Sequence, residues 1–183
     1  MLNHNKQFPE IVSPAGNLEK LKFAAIYGAD AVYFGGSEHN LRAQSDNFSR
    51  QDIEEGVRFC HNHGAKAVFL LNSFLHEKEI EDAKRFIDGV RALPFNAVMV
   101  SDPGMMALVR DAGMTCDIHL STQMSTLNHL AVRFWHKAGV SRIVLAREAT
   151  VDEIRIIRDN TDAEIEVFVH GALCIAYSGR CLL

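Results

Sequence analysis

The sequence predicts an α/β protein, a TIM-barrel-like parallel (β/α) barrel that is incomplete at about seven βα units. Three observations carry this. Seven β-branched runs alternate with helical patterns. Glycines stand just past four of those helices, each followed by a strand, as in GADAVYF, GAKAVFL and GVSRIVL. Strict alternation requires parallel strands, because parallel neighbours need a crossover connection. A complete eight-unit barrel usually takes about 250 residues, and this chain has 183. An open barrel leaves an unpaired edge, so the expectation is truncation or a closing partner.

The strand-like runs are Glu10–Val12, Ala31–Phe34, Ala67–Leu71, Ala97–Val100, Asp117–Leu120, Arg142–Ala146 and Ile165–Val169. Between them, apolar residues recur three and four apart: Leu18, Leu21 and Ala25; Ile80, Ala83, Ile87 and Val90; Leu127, Leu130, Phe134 and Ala138. Thr150 and Glu153 form a capping box. Asp102-Pro103 places a carboxylate cap ahead of a proline at the first helical position, where its missing N–H costs nothing. Gly28, Gly64, Gly113 and Gly139 are the expected left-handed closing residues.

Composition narrows the function classes. Hydrophobic residues make up 48% and charged ones 23%, an ordinary globular balance. The net charge of −4 gives no general field for a polyanion. No apolar run reaches the ~18 residues a membrane span needs. The opening residues lack a basic stretch followed by an apolar one, so a cytoplasmic location is the expectation.

Strand alternation sorts side chains between the barrel interior and the helices. Ile165, Val167 and Val169 should face the helices, leaving Glu166, Phe168 and His170 inward. The same reasoning turns Arg142 and Asp117 inward. Buried charges are tolerable only when paired, so a charged layer of Asp117, Arg142 and Glu166 is expected. At the other end, loops after each strand converge where barrel enzymes keep their sites. That end gathers Asn72, Asp102, Gln123, Arg147, Glu148 and His170 among others. Glu148 and His170 are the candidate catalytic pair, since a histidine near a carboxylate can shuttle protons at neutral pH; a structural role is the alternative. Phe34-Gly35-Gly36-Ser37 lacks dinucleotide-binding spacing and reads as a tight turn. Arg42, in the following loop, can clamp an anion or be a solvated loop arginine. Asn72, Gln123 and Arg147 complete the candidate substrate contacts.

There are four cysteines. Cys60 and Cys116 sit in apolar stretches and read as small buried residues. Cys174 and Cys181 have six residues between them, too wide for a zinc knuckle. That spacing suits a loop around a larger cluster, and an iron–sulfur centre needs four thiolates.

The terminal segment Glu166-Val-Phe-Val-His-Gly-Ala-Leu-Cys174-Ile-Ala-Tyr-Ser-Gly-Arg-Cys181-Leu-Leu183 resembles the signature of the peptidase U32 family. That signature runs Glu-x-Phe-x-x-Gly-Ala-Leu-Cys, four residues, then Gly-x-Cys-x-Leu and Ser. Only the last serine lies beyond the chain. SPAGNLEKLKFAAIYGADAVYFGG, Ser101-Asp102-Pro103-Gly104 and HLSTQMSTLN also resemble the family, so the likeness spans essentially the whole chain.

The resemblance implies a single barrel domain over 1–183, truncated within or just after the signature, with a downstream domain absent and the piece inactive alone. Members carry the label of collagenase-like peptidases, whereas better-understood relatives hydroxylate a nucleic-acid base or a quinone precursor. This sequence is most similar to the tRNA uridine 5-hydroxylation branch, at IVLARE and across the signature. In that group four cysteines are taken to hold a [4Fe-4S] cluster, and some members use prephenate, a small anion, as oxygen donor. By position, Cys174 and Cys181 become half of a cluster site; Arg42 and Arg147 are the residues expected, from their own chemistry, to contact the anion. The implied partners are tRNA or another RNA, and an oligomer or a partner subunit. The competing readings are a metal-assisted peptidase using Glu148 and His170, and a non-catalytic subunit of a hydroxylase pair.

Overall fold

The computed structural model describes residues 8–40, 48–171 and 173–180. They form two compact units, Met1–Cys116 and Asp117–Leu183. The first contains β1 (Val12–Pro14), α1 (Leu18–Ile26), β2 (Ala31–Gly35), α2 (Arg50–Asn62), β3 (Lys66–Leu71), α3 (Ile80–Val90), β4 (Ala97–Val100) and α4 (Pro103–Asp111). A 3₁₀ turn, Glu77–Glu79, leads into α3. The second contains β5 (Asp117–Leu120), a 3₁₀ turn (Thr122–Met124), α5 (His129–Lys137), β6 (Arg142–Val144), α6 (Val151–Asp159) and β7 (Glu164–Glu166). In each unit the strands pair parallel and in chain order.

Local chemistry explains the boundaries. Asn17, Ser49, Asp102, Asn128 and Thr150 each cap a helix by accepting from an orphan backbone N–H. The Thr150–Glu153 box is present in full. All four expected closing glycines take positive φ. At Gly56 the constraint is space instead, since a Cβ there would stand 2.9 Å from Leu21 where α1 packs on α2.

In the first unit the sheet is sealed by an aromatic group. Phe34 lies 4.9 Å from Phe48 and 5.9 Å from Phe69, and Phe69 stacks on Phe95 at 4.7 Å, centroid to centroid. Phe34, Phe48 and Phe69 are essentially fully buried, each contributing roughly 1.5–3 kcal/mol of transfer free energy. The second unit's smaller core holds Leu120, Val132, Ile143, Leu145 and Ile157.

Several expectations change. β1 lies two residues later than expected, because Ile11 is engaged by Asp30: its N–H donates to the Asp30 carboxylate, and its carbonyl accepts from the Asp30 and Ala31 amides. Pro14 then falls in the strand, which an edge position tolerates. β7 ends at Glu166, not Val169. β6 stops at Val144, Leu145 N–H makes the last bond to Glu166, and Ala146 N–H turns away to Thr126. Val167 and Val169 thus lose their ladder partners and are exposed instead of facing helices.

The stripe Leu127, Leu130, Phe134 and Ala138 is likewise not the buried face of α5. Leu130 and Phe134 are each 65% exposed, and Val132 is the buried residue. Of the expected charged layer, Arg142 is buried and Glu166 is its partner at 3.7 Å. Glu164, two residues earlier on the same face of β7, binds the guanidinium at 2.5 and 2.8 Å. Asp117 stands apart, exposed at the start of β5.

Asp102 does more than cap α4. One carboxylate oxygen accepts from Gly104 and Met105 at 2.5 and 3.1 Å, and the other accepts from Leu75 N–H at 3.3 Å. Asp102→Ala is expected to lower stability by about 1–2 kcal/mol, read as a reduced denaturation midpoint; an unchanged midpoint would show that the cap and the Leu75 tie are dispensable.

Candidate functional site

The candidate site is built in the second unit, where the loops after β5 and β6 receive the segment that follows Cys174. After β5 the chain makes the 3₁₀ turn and passes through Ser125 in the left-handed region, at φ 51°. After β6, Ala149 N–H closes a turn onto the Ala146 carbonyl before Thr150 caps α6, and this turn presents Arg147 and Glu148. Residues 177–180 form a turn of their own, with Arg180 N–H on the Tyr177 carbonyl and Gly179 at φ 71°.

Ser178 joins these three pieces and has no exposed surface. Its N–H donates to Glu148 Oε1 at 2.9 Å. Its hydroxyl oxygen accepts from Arg147 N–H at 3.1 Å and from the Thr122 hydroxyl at 3.4 Å. Its carbonyl accepts from the Ser125 hydroxyl at 2.5 Å, and Arg147 Nη2 donates to the Ala176 carbonyl at 2.6 Å. The two bonds with an ionised partner are the stronger kind. Gly179 is held so tightly that a Cβ would meet the Gln123 carbonyl oxygen at 2.1 Å.

The Glu148 carboxyl is held below the ordinary glutamate range. Desolvation, the largest single influence, opposes its ionisation; the Ser178 N–H, its own N–H, the Ser178 hydroxyl and the Arg147 charge together outweigh it. Glu148 Oε2 is buried without a hydrogen-bond partner.

Of the residues expected from sequence, Arg147 and Glu148 come together, and what they hold is the backbone of the cysteine segment. Gln123 joins them through its carbonyl at Gly179, while its side chain hydrogen-bonds Ser121. Asn72 is buried just after β3 in the first unit. His170 is exposed. Arg42 and Cys181 lie outside the described residues. Cys174 is an exposed free thiol, whereas Cys60 is buried, which pushes its thiol up to about 11 and disfavours the thiolate. Among the described residues no three His, Cys, Asp or Glu side chains stand together as a metal site. Among the described residues Cys174 is the exposed thiol, Cys116 is half-buried instead of buried as expected, and no cluster site is completed.

Sequence reasoning missed Ser178 and Ser125. Both are ordinary-looking loop serines, and the one available signal was their setting, Ser178 between the two cysteines and Ser125 just after a strand.

A family model described as Peptidase family U32 matches residues 16–183. The chain is 45% identical over 175 residues to the tRNA hydroxylation protein P1 of Bacillus subtilis (strain 168), covering 96% of this chain and 42% of that one. It is 36% identical over 186 residues to a protein named collagenase from Porphyromonas gingivalis (strain ATCC BAA-308 / W83), covering 95% of this chain and 44% of that one. The chain thus spans less than half the length of these relatives. Among solved structures, the U32 peptidase Mk0906 matches with a TM-score of 0.69 at 14% identity, over 91% of this chain and 71% of that one, which shows the shared TIM-barrel-like α/β fold.

Two outcomes follow from the geometry. Gly179→Ala must break the contact with the Gln123 carbonyl and accept a left-handed alanine, costing roughly 1–2 kcal/mol from conformation alone. Trypsin should therefore cut after Arg180 faster than in the unmodified protein, and equal rates would refute the clamp. A lowered Glu148 pKa means that the ionised carboxylate holds the segment above the ordinary glutamate range, and that the hold is lost as pH falls through the lowered value. The Ser178 amide resonance should therefore titrate with a midpoint below an ordinary glutamate; a midpoint at or above it would contradict the assignment.

Proposed function

The chain belongs to the peptidase U32 family, and from that premise we propose that it is the barrel portion of an enzyme that hydroxylates a base in RNA, with tRNA uridine as substrate. The observation that carries this is the 45% identity to a tRNA hydroxylation protein across 96% of the chain, against 36% to the relative named collagenase.

The site supports the same reading. A metal-assisted peptidase would call on Glu148 and His170 as a pair. Glu148 instead has one oxygen committed to the Ser178 amide, and His170 is in the exposed segment after β7. What Arg147, Glu148, Thr122 and Ser125 accomplish is to fix the backbone next to Cys174 while leaving its thiol open. In this reading Cys174 and Cys181 are two ligands of an iron–sulfur cluster, and the remaining thiolates come from elsewhere in the full protein. A bound cluster would supply redox chemistry for the hydroxylation. Arg147 uses one Nη2 donor on Ala176, and its guanidinium fork has further N–H groups for a small anionic oxygen donor such as prephenate.

The decisive measurement is nucleoside analysis of tRNA from a strain lacking the full-length protein. The hydroxylated uridine should fall to background and return with the unmodified gene, but not with Cys174→Ser or Cys181→Ser. Iron and sulfide should co-purify anaerobically with the unmodified protein and drop in both variants. Unchanged tRNA together with cleavage of gelatin by protein lacking both thiols would replace this reading with the peptidase one.

A further inference from the structure

The first unit contains a cleft that nothing above uses. It has a volume of about 750 Å³ and lies between the segments following β2 and β3 and the start of α3. We propose that this cleft is a binding site for an organic cation, a guanidinium or primary ammonium group on an alkyl body.

The charge balance is the first argument. Glu38, Glu79 and Asp82 bring three carboxylates to the wall, and Arg85 brings one guanidinium. Arg85 is already hydrogen-bonded to Asp82, and Glu79 accepts from His76 N–H at 2.8 Å. Glu38 is different. Its side chain is 63% exposed, and its nearest ion-pair candidate among the described residues is the His39 ring, 4.0 Å away and charged only when protonated.

Hydrogen-bonding capacity is the second argument, and it is independent of charge. His39 carries a side chain only 12% exposed, its ring edge-on to Phe86 at 5.3 Å. Its Nε2 is buried without a hydrogen-bond partner, as is Oγ of Ser73 on the facing segment. Buried polar atoms left unsatisfied are uncommon, and each costs roughly 1–3 kcal/mol. Ser73 Oγ can accept a hydrogen bond, and so can His39 Nε2 in the neutral ring that carries its proton on Nδ1. A ligand that carries donors can therefore satisfy both atoms. A guanidinium offers five N–H donors and no acceptor, and an ammonium three. Both atoms are out of reach of water, so a ligand gains them through a rotation of Ser73 or His39.

The third argument is the apolar lining. Phe74 is half exposed at the cleft and Phe86 forms another part of the wall. Phenyl faces attract cations and cover alkyl stems. An anion meets repulsion from the carboxylates here, so RNA phosphates and the small acid proposed for the other unit are poor occupants.

The test is calorimetric titration of the full-length protein with agmatine, with an acetyl-Gly-Arg-Gly-amide peptide, and with inorganic phosphate. Agmatine or the peptide should bind saturably and phosphate should not. Tighter binding of agmatine identifies a free amine as the source of the cation, and tighter binding of the peptide identifies a polypeptide side chain. Glu38→Gln, at an exposed position that leaves folding intact, should weaken binding about tenfold, the loss of one charge-assisted partner. Phe74→Ala should weaken it about threefold. No saturable heat with either cation, binding that both variants leave unchanged, or preferential binding of phosphate would overturn the proposal. None of these outcomes depends on hydroxylation, so failure here leaves that reading untouched.

Discussion

Parallel strands cannot be joined by a tight turn, and that restriction governs nearly everything else in this protein. Each strand must be followed by a crossing helix, so within each unit the carboxyl ends of the strands all face one side. Some of the loops there are short, such as residues 15–17 and 101–102, and most end at helix caps. Asn17, Ser49, Asp102, Asn128 and Thr150 fix where the chain re-enters a helix. Their short side chains therefore decide which polar residues are left free to face one another. Arg147 and Glu148 are presented as they are because β6 ends at Val144 and Thr150 starts α6 soon after.

Most of this architecture was legible in the sequence because its signals are local. Capping residues, closing glycines and β-branched runs act within a few positions of where they stand. The expectations that changed depend on contacts distant in sequence. The sequence makes β7 look longer than it is because Val167 and Val169 are typical strand residues, whereas a strand ends where its neighbour stops pairing, and β6 is only three residues long. The stripe on α5 changes because two apolar sets share helical spacing, Leu130 with Phe134 and Val132 with Trp135, and periodicity cannot choose between them. Asp117 and Glu164 exchanged places for a similar reason. Alternation says which residues share a face, but register decides which carboxylate meets Arg142, and it pairs Arg142 with Glu164.

The site divides the same way. Arg147 and Glu148 were found because charged residues just past a strand are conspicuous in any barrel sequence. Their task was not visible, because it depends on a loop thirty residues later in the chain folding back onto them, with 2.9 Å between Glu148 and the Ser178 amide. Ser178 itself carries no charge, metal-binding group or unusual spacing. Its role comes entirely from position: N–H, hydroxyl and carbonyl are all used, by the segments after β5 and β6.

Polar bonds hold this loop because apolar burial does not. Leu173, Ile175 and Tyr177 are 51%, 96% and 47% exposed, while the serine next to them is wholly buried, the reverse of the usual sorting. Apolar contact is non-directional and would tolerate many loop positions. Hydrogen bonds to Glu148, Arg147, Thr122 and Ser125 tolerate few, since each weakens steeply away from its preferred distance and angle. A loop docked this way has a defined backbone path next to Cys174 even though little of its surface is covered. The cost is dependence on ionisation, since Glu148 holds the Ser178 amide best as a carboxylate, and Arg147 nearby helps to keep it one. Positional precision for an exposed thiol and sensitivity to the charge of one glutamate therefore have the same physical origin.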